Sequence, residues 1–575
     1  MSTAVSAPPA LDARGTPGLG DALATRGGLL LLFAGLFVFL TLPLAMLFVR
    51  SVQDKAGATV GLANFATYLA SPAFARSAGN TLTFAVLTTA IVVPVAFGFA
   101  FAIQRTCIPF KGMWRNIALL PILAPSMLAA LSFIYLFGNQ GVLKSVLGWV
   151  GLTTVYGLPG MVLAMAFAAF PHAVMILFAA LSLSDARLYE AADSLGTPEW
   201  RKFVTITLPG ARYGLISAAM VVFTMAVSEF GVPKVIGGNY SVLAIDIYKQ
   251  VIGQQNFNIG AVVGLILLLP AVLAYAIDWS VRRRQQALMT ARSVLYRARP
   301  ALARDRVALL FVLLVSAVML LVIGMAVYGS FVRVWPYNLS FTLNHYTYGF
   351  EEAGVDNAYR NSLVMALWCA VLGAAITFAG GYWLEKTRGA DALRGPIRLQ
   401  AMVPMAVPGL VLGIGYILFF NHPTNPLNFL YGTMTILVAS TIVHFYSSSH
   451  LTAVTALKQL DNEFESVSAS LKVPFYRTFM RVTVPVCLPS LIDIARYYFV
   501  NAMTTISAVV FLYSPKTMLA SISIVQLDEA GAIGSAAAMA TLIVLTSAVV
   551  TIMSLVIETR VLRRTQAWRT AARSA

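Results

Sequence analysis

Charge is scarce in this chain: of 575 residues, 11% are Asp, Glu, Lys or Arg, against 59% that are hydrophobic. A water-soluble domain could not hide that much apolar surface, which excludes a soluble enzyme or binding module. Cysteine is nearly missing too. Cys107, Cys369 and Cys487 lie far apart, near or within apolar stretches, and leave neither a disulfide framework nor a metal-ligand spacing. His444 and His450 fall on different faces of any helix that holds both, so they make no metal pair. The phosphate loop G-x-x-x-x-G-K-[ST] is absent, so ATP hydrolysis by that route is excluded.

What is present is apolar length. Runs of roughly 20 apolar residues recur, each long enough to cross a bilayer as a helix. Helices are expected because lipid tolerates only backbones that satisfy their own hydrogen bonds. The spans are expected at 27–49, 80–104, 117–138, 158–182, 212–232 and 259–280, then at 307–330, 360–384, 399–420, 432–455, 488–513 and 533–557. The fold class is therefore an all-α polytopic membrane protein of about 12 spans.

The net charge of +17 has a topological explanation. Lys and Arg gather in every second loop, as at Arg105, Lys111, Arg115, Arg201, Lys202, Arg282 to Arg284 and Arg560 to Arg573, while the alternate loops hold scattered ones such as Lys55, Lys144 and Lys234. Roughly three quarters of the positive charge falls on one side, which the positive-inside rule makes cytoplasmic. Both termini are then expected inside, in a bacterial inner membrane. No nucleic-acid partner is expected, because the charge is spread over short loops rather than gathered on one face.

The two halves repeat one another. Asn80-Thr81-Leu82 opens the second span and Asn361-Ser362-Leu363 the eighth. Each is followed by a proline-bearing segment, Leu119 to Pro125 and Met402 to Pro408. The stretch YEAADSLGTPEWRKFVTITLP (189–209) returns as ESVSASLKVPFYRTFMRVTVP (465–485), matching Leu195 to Leu471, Pro198 to Pro474, Arg201 to Arg477 and Pro209 to Pro485. Repeats with an even number of spans share one orientation, related by an axis along the membrane normal. The expected organisation is a disordered tail (1–26), a first repeat (27–280), a basic linker (281–306), a second repeat (307–557) and a basic tail (558–575).

Residues 184–209 read as a polar helix–turn–helix. Ser184 is placed to cap the first helix, with Asp185 in its first turn. Leu188, Ala192 and Leu195 share one face, and Gly196 ends the helix. Thr197 caps a second helix with Pro198 at its first position, and Pro209 closes it before the next span. Such a segment can dock into a protein groove, lie on lipid or serve as a tight linker.

EAADSLG followed by Leu208-Pro209 resembles the EAA motif of ABC importer permeases, placed before the penultimate span of a six-span half. The resemblance covers most of 60–280 and 340–560 and is nearest to fused double permeases for ferric iron and 2-aminoethylphosphonate. It implies a transport subunit rather than an enzyme. Two cytoplasmic ABC ATPases would carry ATP and magnesium, a periplasmic binding protein would deliver solute, and this chain would bind no cofactor of its own and no metal. The resemblance gives ATPase coupling to Glu190, Ala191, Ala192, Gly196, Pro198 and Arg201, and in the second half to Glu465, Leu471, Lys472, Pro474 and Arg477. There the glycine position is Lys472 and the Glu190 position is Ser466, with Glu465 one residue earlier. VWPYNLSFTLNHY (334–346), SEFGVPKVIGG (228–238) and FLYSP (511–515) lean toward 2-aminoethylphosphonate, with ferric iron next.

Translocation-path candidates are Ser228 and Glu229, with Thr505 and Ser507 in the second repeat. An ionisable residue within a span is a functional candidate by default. Alternatively, Glu229 pairs with Lys234 or water at an interface. A proton-coupled carrier with six plus six parallel spans is the rival class. The loop QRTCIPFKGMWRN (104–116) lacks that class's Gly…Asp-Arg…Gly-Arg-Arg pattern.

Overall fold

The structure, a computed structural model, describes residues 19–149, 151–182, 185–287, 296, 298–352, 354–387, 389–461 and 463–565. Among the described residues the fold is all-α apart from an isolated bridge between Gln53 and Thr59 and a hairpin of Val332–Val334 with Asn338–Phe341, paired Val332 to Phe341 and Val334 to Asn338. Among the described residues, eight helices are long and apolar enough to span a membrane: Asp21–Ser51, Pro72–Arg105, Leu158–Ser182, Glu199–Ser228, Phe257–Val281, Leu302–Phe331, Asp356–Glu385 and Ile533–Leu562.

The other four expected spans are broken. Lys111–Leu123 meets Ser126–Phe137 at 99°, and Asp391–Ala406 meets Gly409–Phe420 at 115°. The cause is local. Ala124 and Val407, each just before a proline, are pushed into extended backbone, and Pro125 and Pro408 restart the chain. In the expected span 488–513 the helix Leu488–Thr504 stops short at Thr505, and ahead of it Phe475–Val486 meets it at 77° about Cys487. The expected span 432–455 is interrupted at Phe445, between Met434–His444 and Tyr446–Lys458.

Helices also overrun the expected tails and linker. The first begins at Leu19, inside the stretch read as a disordered tail. Phe257–Ala287 and Leu302–Phe331 enter the linker from both sides, and the last helix continues to Thr565. Arg is a good helix former and its long stem keeps the charge in water, so basic residues extend a span rather than end it.

Each repeat places its opening span against the other repeat. The Gln400 amide donates to Thr41 Oγ1 at 3.0 Å, and Gly28 lies so close under the Trp383 indole that a Cβ would clash. Reciprocally, Ser132 Oγ donates to the Val322 carbonyl at 2.7 Å, and Gly329 lies against the Tyr135 ring. One continuous apolar core runs through both halves. Leu31, Leu314 and Ile552 stay exposed on the rim, where lipid is their natural solvent.

Candidate functional site

Two kinds of place stand out: the helix–turn–helix of each repeat, and the far end of each fifth span. In the first repeat, Asp185 caps Ala186–Ser194 by accepting a hydrogen bond from the Arg187 amide at 3.1 Å. Ser184, expected as the cap, lies outside the described residues. Gly196 takes a left-handed φ of +66°, and Thr197 N–H donates to the Ala192 carbonyl at 3.0 Å, which closes the turn. Pro198 is itself the cap, so the cap lies one residue later than the expected Thr197, and the next helix starts at Glu199. Pro209 closes nothing. The backbone passes from Glu199 through a wide π turn at Phe203–Thr207 into Leu208–Ser228, and Pro209 sits early in that helix beside the widened turn.

The expected apolar face divides. Ala186, Tyr189 and Ala192 turn inward, whereas Leu188, Leu195 and Trp200 point into open space, Leu195 being 83% exposed. Glu190, Ala191, Pro198 and Arg201 are exposed around them. Beneath, Tyr189 Oη and Thr207 Oγ1 share a hydrogen bond of 2.9 Å. Lys202 pairs with Asp193 and with Glu199, while Arg299 reaches Asp193 at 3.1 Å from the linker. The hydrogen bond from Lys202, with the two positive charges, holds the Asp193 carboxyl below the usual range.

The second repeat builds the same device from different residues. Glu463–Ser470 ends at Leu471, and Val473 N–H donates to the Ser468 carbonyl at 2.9 Å. Lys472 occupies the glycine position with φ +55°, so the turn survives without glycine. Pro474 again caps a short helix, Phe475–Thr478, followed by a π turn at Phe479–Thr483. Val467, Leu471 and Tyr476 are exposed, Leu471 by 70%, and Arg477 is exposed beside them. Glu465 lies on the inner side of its helix. As the repeat alignment gives, it occupies the Tyr189 position, one before that of Glu190, and it turns inward to pair with Lys386 at 3.6 Å.

At the other end of the fifth spans, Glu229 and Thr505 hold equivalent extended positions immediately after Ser228 and Thr504. Glu229 Oε1 accepts from Ser126 Oγ at 2.7 Å and from the Val232 amide at 3.1 Å. Ser126 opens the helix beyond the proline break, so the break brings a helix N-terminus to the carboxylate. In the second repeat, Gly409 takes the Ser126 position, and Ser507 Oγ fills the space a Cβ there would need. The Thr505 carbonyl accepts from Ser521 Oγ at 2.5 Å, and Ser228 Oγ donates to the Thr224 carbonyl at 2.8 Å. Sequence reasoning missed Ser126. The signal was there in Pro125-Ser126 standing where the other half has Pro408-Gly409.

Lys234, the alternative partner for Glu229, is engaged elsewhere. It pairs with Glu529 of the second repeat and lies 4.7 Å from the Tyr248 ring centre, with Phe511 stacked obliquely at 6.4 Å from Tyr248. Burial pushes the neighbouring Asp528 carboxyl up to about 6, and the Glu529 charge adds to the shift. A cavity of about 540 Å³ opens nearby, lined in part by Tyr135, Asn139, Tyr156, Arg333, Trp335 and His345. Trp335 bridges the repeats through an edge contact with Tyr135 and by donating a 3.1 Å hydrogen bond to the Gln140 carbonyl. Among the described residues, no group of three His, Cys, Asp or Glu side chains is placed to hold a metal ion.

The sequence matches the family described as "Binding-protein-dependent transport system inner membrane component" twice, at residues 94–287 and 377–563. A ferric transport system permease protein, FbpB, of Actinobacillus pleuropneumoniae is 27% identical over 529 residues, covering 90% of this chain and 76% of that protein. A putative ferric transport system permease protein FbpB 1 of Haemophilus influenzae is 27% identical over 497 residues, covering 84% and 77%. Among solved structures, a bacterial alginate ABC transporter in complex with an alginate pentasaccharide-bound periplasmic protein aligns with a TM-score of 0.39 at 19% identity, covering 48% of this chain and 98% of that one. With both repeats matched across more than half its length, the chain belongs to the binding-protein-dependent transport system inner membrane components, as a multi-pass permease subunit of an ABC importer.

Proposed function

We propose that this permease takes its driving force from two cytoplasmic ABC ATPases, one seated on each helix–turn–helix. The observation that carries this reading is the pair of exposed apolar groups at equivalent repeat positions, Leu188, Leu195 and Trp200 in one repeat and Phe464, Leu471 and Tyr476 in the other. Anchors of this kind on short helices suit a protein groove. ATP and magnesium belong to those partners. Their closure presses on both elements and rocks the two halves between inward- and outward-facing states. A periplasmic binding protein delivers solute on the opposite face, and both termini are cytoplasmic. If variants Glu190→Arg and Gly196→Asp retain both ATPase co-purification and uptake, this docking role is wrong.

Ser228, Glu229, Thr505 and Ser507 are the proposed contacts for passing solute. Glu229 offers a carboxylate oxygen, and its nearby cation, Lys234, is occupied by Glu529. This favours a metal cation or a solute with an ammonium group. Ferric iron is the first solute to test, because the relatives FbpB and FbpB 1 are named as ferric permeases. The second is 2-aminoethylphosphonate, which the stretches 334–346, 228–238 and 511–515 favour. Uptake by vesicles holding the whole importer, with each solute presented on its binding protein, separates them. Glu229→Gln lowers uptake of the true solute without lowering ATPase co-purification.

A further inference from the structure

Each second span ends in a buried cation that the sequence reading counted only as a loop charge. Arg105, the last residue of Pro72–Arg105, is 3% exposed. Its Nη2 donates to the Leu181 carbonyl at 2.9 Å, in the last turn of Leu158–Ser182. Its guanidinium lies 5.0 Å from the Tyr189 ring centre and 4.3 Å from that of Tyr296. Lys386 stands at the same repeat position, counted from Asn80 and Asn361, and its side chain is also 3% exposed. Its Nζ donates to the Leu460 carbonyl at 2.9 Å, just past Tyr446–Lys458, and pairs with Glu465. Tyr189 and Glu465 are themselves equivalent residues.

A buried cation is costly, and an apolar residue of similar volume would often serve stability as well or better. Here both halves keep one at the same joint and satisfy it with different chemistry. In each, the cation meets three elements: the end of the second span, the carbonyl end of the fourth, and the inward face of the helix that carries the docking anchors. The negative end of a helix dipole favours a cation there.

We propose that Arg105 and Lys386 are positioning residues that tie each docking helix to the second and fourth spans, so that a push on the helix moves both spans together. The proposal rests on the docking reading above. The two joints differ in kind. Arg105 faces aromatic rings, over which a planar cation can shift without losing its attraction. Lys386 meets a carboxylate, that of Glu465, and the Leu460 carbonyl.

The test uses the complete importer in proteoliposomes, with its ATPases and loaded binding protein. The variants are Arg105→Gln, Arg105→Lys, Lys386→Met, Lys386→Arg and Glu465→Gln. Because the Arg105 and Lys386 side chains lie inside, ATPase co-purification of their variants is expected to stay at the wild-type level. ATP hydrolysis should continue while solute moved per ATP falls several-fold in Arg105→Gln, Lys386→Met and Glu465→Gln, with partial recovery in Lys386→Arg. Should a charge-removing variant fail to fold, Arg105→Lys and Lys386→Arg decide, since both keep the charge and alter only its geometry. Unchanged transport per ATP in folded variants overturns the proposal. Separately, Leu195→Asp and Trp200→Asp test the seat itself: unaltered ATPase binding in those variants overturns the docking reading instead.

Discussion

Lys472 holds the left-handed backbone conformation that Gly196 holds in the first repeat. For a residue with a Cβ, that conformation costs about 1–2 kcal/mol. Glycine would avoid this cost but would give the unfolded chain more freedom, about 0.5–1 kcal/mol in the opposite direction. Lys472→Gly is therefore expected to stabilise the permease by about 0.5–1 kcal/mol, and Gly196→Ala to destabilise it, both read as shifts in thermal unfolding in detergent. Asp528 carries a pH dependence. Its folded value of about 6 lies above its ordinary value of 3.8. The folded protein therefore holds the extra proton between those values, and stability falls as pH rises through that window. Asp528→Asn should raise the unfolding temperature more at pH 7.5 than at pH 4.5. Residue roles were only partly legible in the sequence. The turn at 472 was legible from its neighbours, but the inward aim of Glu465 was not, because it depends on Lys386, a residue of a distant span.

At the scale of elements, the bilayer made the spans readable. Lipid demands long apolar helices, and composition alone locates them. The breaks were less readable, because a proline within a span is tolerated wherever neighbouring helices satisfy the freed backbone. Pro94, Pro171 and Pro270 lie inside continuous helices, whereas the chain breaks at Pro125 and Pro408. Pro209 misled for the same reason: a π turn ahead of it absorbs the strain that would otherwise end the helix. Two substitutions distinguish the inner and outer faces of the first docking helix. Tyr189→Phe removes the hydrogen bond to Thr207 and should cost about 1 kcal/mol. Leu195→Asp removes an exposed side chain and should alter stability by less than about 0.5 kcal/mol, whatever it does to partner binding.

At the scale of the whole molecule, the twofold repeat was legible because its matches fall in order across both halves. Contacts between the halves were not, since no local pattern announces that Lys234 will find Glu529. That pair is only partly sheltered, with side chains 20% and 51% exposed. A double-mutant cycle using Lys234→Ala and Glu529→Ala should therefore return a coupling below about 1 kcal/mol. The crossed placement of the opening spans reaches further. Thr41 is bonded to Gln400 and Val322 to Ser132, so neither half encloses its own interior. A gene cut between the two coding halves would give a pair of obligate strangers, each unfinished until it lends its leading segment to the other.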